Sequence, residues 1–325
     1  MSFGKRLFSW AAPSNRLTVL IFHRVLPARD ELWPEEWVAD EFERICEWMS
    51  AWFHVLPLDE AAKQLAAGRL PPRAACITFD DGYADNRTVA CPILSRHGLC
   101  ATFFVSTGYL NGGRMWNDTI TETVRRTRED ALELRGPRLR SLGVVPMHGA
   151  EDKRAGLRAL IRSVKYLQLQ ERSEAIAELF EAARVSPQEL STTLMMSSEQ
   201  VRQLRAGGMQ VGAHTVNHPI LAKLTEGEAT REIGESRDSL EALLGEKVGL
   251  FAYPNGRPGE DYLARDVALV KRHGFSAAVS TAHGVGLPST DSFQLPRFTP
   301  WDRGRVKFGL RLARQAVSGD PAAAV

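Results

Sequence analysis

With 325 residues, 44% of them hydrophobic and 25% charged, the chain has the make-up of a globular protein large enough for one big α/β domain or two smaller ones. Its 41 Lys and Arg against 39 Asp and Glu leave a formal charge of +2, so no global basic field argues for nucleic acid, and no nucleic-acid partner is expected. The longest apolar run, Val19 to Phe22, is far too short to span a bilayer.

Along the chain, the opening stretch MSFGKRLFSWAAPSNR has no apolar core of signal-peptide length, which points to a cytoplasmic protein. Phe3, Leu7, Phe8 and Trp10 beside Lys5 and Arg6 could still touch a membrane surface. Strand-like runs then follow at Leu17–Phe22, His54–Leu58, Ala75–Phe79, Ala101–Ser106, Met209–Ala213, Gly249–Tyr253 and Ser276–Ser280, with a last short one near Phe293–Leu295. Helical patterns lie between them. Glu36–Trp52 carries Trp37, Phe42, Ile45, Trp48 and Met49 at helical spacing. Ser197 with Gln200, and Thr225 with Glu228, read as capping boxes. Alternating strands and helices in this number favour a distorted (β/α) barrel of about seven strands, with a doubly wound sheet as the alternative. One region breaks the rhythm: residues 111–196 contain no convincing strand and read as a helical insertion. Cys46, Cys76, Cys91 and Cys100 show no CxxC pairing and read as thiols, not as a disulfide frame or a zinc site.

The residues able to do chemistry cluster at strand ends. Asp80 and Asp81 follow the run Ala75–Phe79, and adjacent carboxylates are costly to bury without a cation or a proton. His214 and His218 follow Met209–Ala213, and their spacing allows both imidazoles to hold one ion, in a loop closed by Pro219. Tyr253-Pro254-Asn255-Gly256 follows another strand, where Pro and Gly can turn backbone amides toward a pocket. His23 ends the first strand and Arg297 the last. Singly, each motif could be a turn or a surface charge. In a parallel barrel the C-terminal ends of the strands share one face, and that face carries the active site. One carboxylate and two histidines there would hold a divalent metal with positions left open for water and substrate.

These motifs resemble the polysaccharide deacetylase family, carbohydrate esterase family 4, also called the NodB-homology family. Thr78-Phe79-Asp80-Asp81-Gly82 looks like its first motif, His214-Thr215-Val216-Asn217-His218 its second, and Tyr253-Pro254-Asn255-Gly256 its third. The resemblance implies a single domain over residues 1–320 that removes acetyl groups from an N-acetylated glycan. It implies Asp80 as general base, and Asp81, His214 and His218 as ligands of a divalent ion, zinc first, with cobalt, nickel or manganese also suited. Tyr253, Pro254 and Asn255 would form the oxyanion and substrate side. Two departures stand out. Ala252 occupies the place of the family's usual arginine, and the usual late histidine motif is absent. Leu20-Ile21-Phe22-His23 looks like that last motif moved to the front, an order similar to the biofilm poly-N-acetylglucosamine deacetylases. His23 is thereby expected as general acid and Arg297 as substitute for the missing arginine. The alternatives are a hydrolase of another small amide or O-acetyl ester, and a catalytically weak carbohydrate-binding protein.

Overall fold

The computed structural model describes residues 15–317 and 324–325; Phe3, Leu7, Phe8 and Trp10, the expected membrane contacts, lie outside the described residues. The chain forms two compact units, one taking in residues up to Pro27, Trp37–Leu110 and from Met196 onward, the other Ala28–Glu36 and Asn111–Met195.

In the first unit seven strands form a single parallel sheet: β1 (Leu17–Phe22), β2 (His54–Val55), β3 (Ala74–Phe79), β4 (Thr102–Val105), β5 (Gln210–Ala213), β6 (Leu250–Ala252) and β7 (Ala277–Val279). Their order is β1-β3-β4-β5-β6-β7, with β2 paired to the start of β3. The sheet curls, and residues 295–298 link its last strand back to its first. The Leu295 amide donates to Ala278 and the Phe298 amide to Val19, at 3.0 and 2.7 Å. This is the expected distorted (β/α) barrel.

The alternation of side chains explains why β1, β3, β4 and β6 read as nearly continuous apolar runs. Leu17, Val19, Cys76, Phe104, Ala252 and Val279 gather in one buried cluster on the inside of the curl. Their strand neighbours Leu20, Phe22, Ile77, Phe103 and Phe251 pack outward with helical residues such as Phe42 and Ile233. Both faces of the sheet are thus covered, as parallel strands require.

Several sequence boundaries shift. The expected strand His54–Leu58 stops at Val55 because Pro57 precedes the helix Leu58–Ala66, where its missing N–H is harmless. The expected strand near Phe293–Leu295 reduces to isolated bridges at Leu295 and Phe298. The capping boxes form as read: the Ser197 and Thr225 hydroxyls accept the Gln200 and Glu228 amides, opening the helices Ser198–Ala206 and Glu226–Leu244.

The second unit is built on helices Trp116–Arg126, Gly149–Val164 and Leu169–Ala183, which share a core including Ile120, Val124, Leu157, Leu160 and Leu179. It also holds an antiparallel pair, Ala131–Glu133 with Val144–Pro146, where no strand was expected. Segments of three residues carry too little alternation to register as strands in sequence. Among the described residues all four cysteines are free, and no helix is long and apolar enough to cross a membrane.

Candidate active site

The period of two along β3 turns Phe79 outward, where its ring stacks on Phe103 at 4.8 Å, and leaves Thr78 and Asp80 on the inner face. Asp80 extends the pairing with β1 through its amide, which donates to the Phe22 carbonyl at 2.9 Å. The chain then bends sharply, because Asp81 and Gly82 both take left-handed backbone, with φ of 77° and 90°. A β-carbon at position 82 would lie 3.1 Å from a Val105 methyl, a tight contact that adds to the strain of the angle.

Arg297 reaches the same point from the closing segment. Two residues beyond Leu295, it lies on the inner face and is 2% exposed. Its Nη1 and Nη2 donate to Asp80 Oδ1 and Oδ2, both at 2.7 Å, in a bidentate fork. Its Nε donates to the Ser280 carbonyl at 2.8 Å, and Nη1 also reaches the Thr78 hydroxyl at 3.2 Å. The guanidinium therefore holds Asp80 from inside the barrel, through a sequence separation of 217 residues. Ala252 belongs to the same inner cluster.

The histidine loop follows β5. His214 Nδ1 lies 2.8 Å from the Ala252 carbonyl, which fixes Nδ1 as the donor and leaves the Nε2 lone pair free to point inward. Nε2 of His214 and Nε2 of His218 lie 3.5 and 3.4 Å from Asp81 Oδ1. The loop is strained and strongly tied. Thr215, a β-branched residue, takes φ of 63°, and His218 takes 50°. The Thr215 hydroxyl donates to the His214 carbonyl and accepts the His218 amide, at 2.5 and 3.1 Å. Glu232, on the helix Glu226–Leu244, accepts the amides of Val216 and Asn217 and the Asn217 side-chain amide, at 2.9, 2.8 and 2.8 Å. Ser106, at the end of β4, donates its hydroxyl to the His214 carbonyl at 3.0 Å. Of the eight described non-glycine residues with positive φ, four stand here: Asp81, Thr215, His218 and Asn255. That concentration of strain marks a functional site.

Charge completes the picture. Burial pushes the Asp80 carboxyl up, but Arg297 and then His214 outweigh it and hold it below its ordinary value. Burial likewise opposes ionisation of Asp81, and its contacts with His214, His218 and His23 hold it well below the carboxylate range. Burial drives the His218 imidazole down to about 4, so it is neutral at pH 7. For His214 burial is overcome by Asp80 and Asp81, which raise its affinity for a proton. These residues fit a divalent cation. Asp81, His214 and His218 offer ligand atoms within 4.8 Å of one another, and Asp81 Oδ1 is buried with no hydrogen-bond partner. Donors each bonded to one tetrahedral zinc lie about 3.3–3.4 Å apart, close to the carboxylate–imidazole separations seen here.

The sequence profile of one family, polysaccharide deacetylase, matches residues 67–135 and 168–278, more than half of the chain. The chain belongs to the polysaccharide deacetylase family. As a deacetylase it is a hydrolase of carbon–nitrogen bonds outside peptides. It is 19% identical over 284 residues to YxkH of Bacillus subtilis (strain 168), whose name places it among polysaccharide deacetylases, and the match covers 87% of this chain and 70% of that one. Its fold is similar to the Streptococcus pyogenes deacetylase PplD, solved with acetate, with a TM-score of 0.60, 18% identity and coverage of 94% and 99% of the two chains. It is also similar to IcaB from Ammonifex degensii, with a TM-score of 0.59, 20% identity and coverage of 93% and 97%.

The matched region of the deacetylase stops short of both His23 and Arg297. His23 follows β1 and is exposed, and its backbone carbonyl accepts the Asn86 side-chain amide at 2.8 Å. It stands within electrostatic reach of Asp80, Asp81 and His218, at the rim of the same site. The third motif divides. Tyr253, expected beside the substrate, packs away from the site: its ring stacks on Tyr262 at 3.9 Å and its hydroxyl donates to the Phe293 carbonyl at 3.1 Å. The alternation explains this, since Ala252 faces inward and its neighbour must face outward. The Tyr253 amide is also spent, on the Val279 carbonyl at 3.2 Å. Asn255 takes φ of 59° after the buried Pro254, and its carbonyl is held by the Thr281 hydroxyl at 2.6 Å. Its amide makes no hydrogen bond within the described residues. Glu232 is a positioning residue that motif reading missed, and Thr78 one that it named without a role. The role of Thr78 was findable, two residues before Asp80 on one strand face; Glu232 is one acid among many on a helix.

Proposed function

We propose that the deacetylase removes N-acetyl groups from an amino-sugar glycan with a divalent ion, zinc first, held by Asp81, His214 and His218. The observation that carries this reading is the pair of constellations around one point: a base paired to a buried arginine, and three ligand atoms beside it. A divalent ion so held would polarise the acetyl carbonyl and acidify a water. Asp80 takes the proton of the attacking water. Arg297 keeps that carboxylate ionised and fixes both of its oxygens, leaving one lone pair on each for the water. The Asn255 amide donates to the oxygen of the tetrahedral intermediate, and Pro254 holds the turn that presents it. His23, at the exposed rim, hands a proton to the departing amine, so that the C–N bond breaks to give acetate and a free amino group.

Arg297 speaks against the catalytically weak alternative, because its fork on Asp80 would supply the contact expected of the family's usual arginine, absent at Ala252. The testing experiment is acetate release from N-acetylglucosamine oligomers with zinc. A wild-type chain loaded with metal that releases no acetate from any such oligomer would sink the amino-sugar reading.

A further inference from the structure

The helix Arg305–Val317 has the sequence RVKFGLRLARQAV; residues 303–317 hold no acid and five cations, Arg303, Arg305, Lys307, Arg311 and Arg314. Its inner side is anchored: Phe308 and Leu312 are buried, and the Phe308 ring lies 5.4 Å from Trp48 and 6.3 Å from Trp52. That contact fixes which side faces solvent. At 100° per residue, Val306, Leu310 and Arg314 fall opposite Phe308 and Leu312, with Lys307 beside them. Val306 is 72% exposed and Leu310 55%, and Trp301 just ahead of the helix is 67% exposed. Three of the seven exposed large apolar side chains of the described residues thus fall within one short stretch. Arg303 is committed to Glu41 and Arg311 to Asp302. Lys307 and Arg314 are exposed and make no ion pair among the described residues.

We infer that this face, with Trp301, Val306 and Leu310 beside Lys307 and Arg314, docks on the surface of an anionic lipid bilayer. Apolar side chains flanked by unpaired cations suit the boundary between acyl chains and anionic headgroups, where each part of the face finds its complement. A second copy of the chain across a two-fold axis would instead press the same cations together. The inference is independent of the catalytic reading and of the residues before position 15.

The test uses the full chain and co-sedimentation with vesicles, either phosphatidylcholine alone or phosphatidylcholine with phosphatidylglycerol. The expected result is binding to the phosphatidylglycerol vesicles only, weakened by salt. Lys307→Glu with Arg314→Glu should reduce partitioning by about thirtyfold or more, the loss expected when two surface cations stop contributing. Val306→Ser with Leu310→Ser should also release the protein while leaving its salt dependence in place. Both variants change exposed side chains, so melting temperature and circular dichroism should match the wild type. Equal binding to neutral vesicles, no binding at all, or binding that survives both variants would overturn the inference. So would a wild-type dimer that dissociates on Leu310→Ser, which would make the face a protein contact.

Discussion

Asp80 meets two opposed demands. As the proposed base it must be ionised to accept a proton, yet burial favours its neutral form, and Arg297 resolves the conflict by pairing with both oxygens. A carboxylate held that firmly is a weak base, so its work depends on a water made more acidic by a neighbouring cation. Asp80→Asn keeps the shape and removes the proton acceptor. Turnover should fall by about 10²–10⁴-fold, while zinc affinity measured by calorimetry stays within a few-fold, because Asp81, His214 and His218 are untouched. Arg297→Lys keeps the charge and loses the fork. It should lower turnover at unchanged metal content and also lower the melting temperature, since breaking a buried pair costs about 3–5 kcal/mol. The proposed metal ligands carry a separate prediction. Asp80 and Asp81 make His214 bind its proton more tightly than usual and burial leaves His218 neutral at pH 7, so a metal must compete with a proton at His214 rather than at His218. Zinc affinity should therefore rise with pH while His214 remains protonated, and level off above its titration. Calorimetry in buffers of different ionisation enthalpy reads that proton, and affinity flat from pH 6 to 8 would contradict it.

At the scale of elements, the carboxylate pair and the histidine loop owe their places to where a strand stops. β3 ends in the left-handed Asp81 and Gly82, and β5 ends in a loop whose strain is held by Thr215 from within and Glu232 from outside. Glu232 touches no ligand atom. Its removal should act through the loop. Glu232→Ala should weaken zinc binding by about 10–100-fold, the range for groups that orient metal ligands, and Glu232→Gln should recover part of the loss. Unchanged zinc affinity in the alanine variant would reduce Glu232 to a surface contact. The same scale shows what sequence can disclose. TFDDG and HTVNH were legible as segments because strand end and turn are contiguous in each. The Arg297 pairing was anticipated only from resemblance, and its fork geometry came from the curl of the sheet, which no local pattern encodes. Tyr253 was misplaced because a motif read as a block hides the alternation that sends neighbouring side chains to opposite faces.

Over the whole molecule, the order of strands makes the site possible. Residues 295–298 close the curl between β7 and β1, so the first and last parts of the barrel meet at Asp80. A histidine carried on β1 can therefore serve the same end of the barrel as one carried at the far end of the chain. The barrel was legible from alternating apolar runs. The short antiparallel pair in the insertion was not, since three-residue strands leave no pattern. Metal should also couple to stability. Zinc at a hundredfold excess over its dissociation constant adds about 2.7 kcal/mol, so a chelator should lower the melting temperature of the wild type, but not of Asp81→Asn. The central claim is that a base and a metal act together in one site. Its most direct test is acetate release from N-acetylglucosamine oligomers by zinc-loaded wild type and by zinc-loaded Asp80→Asn, with metal content measured in both. Release by the wild type, near-complete loss in Asp80→Asn and equal zinc in each is the predicted result. Equal release by the two proteins would contradict it.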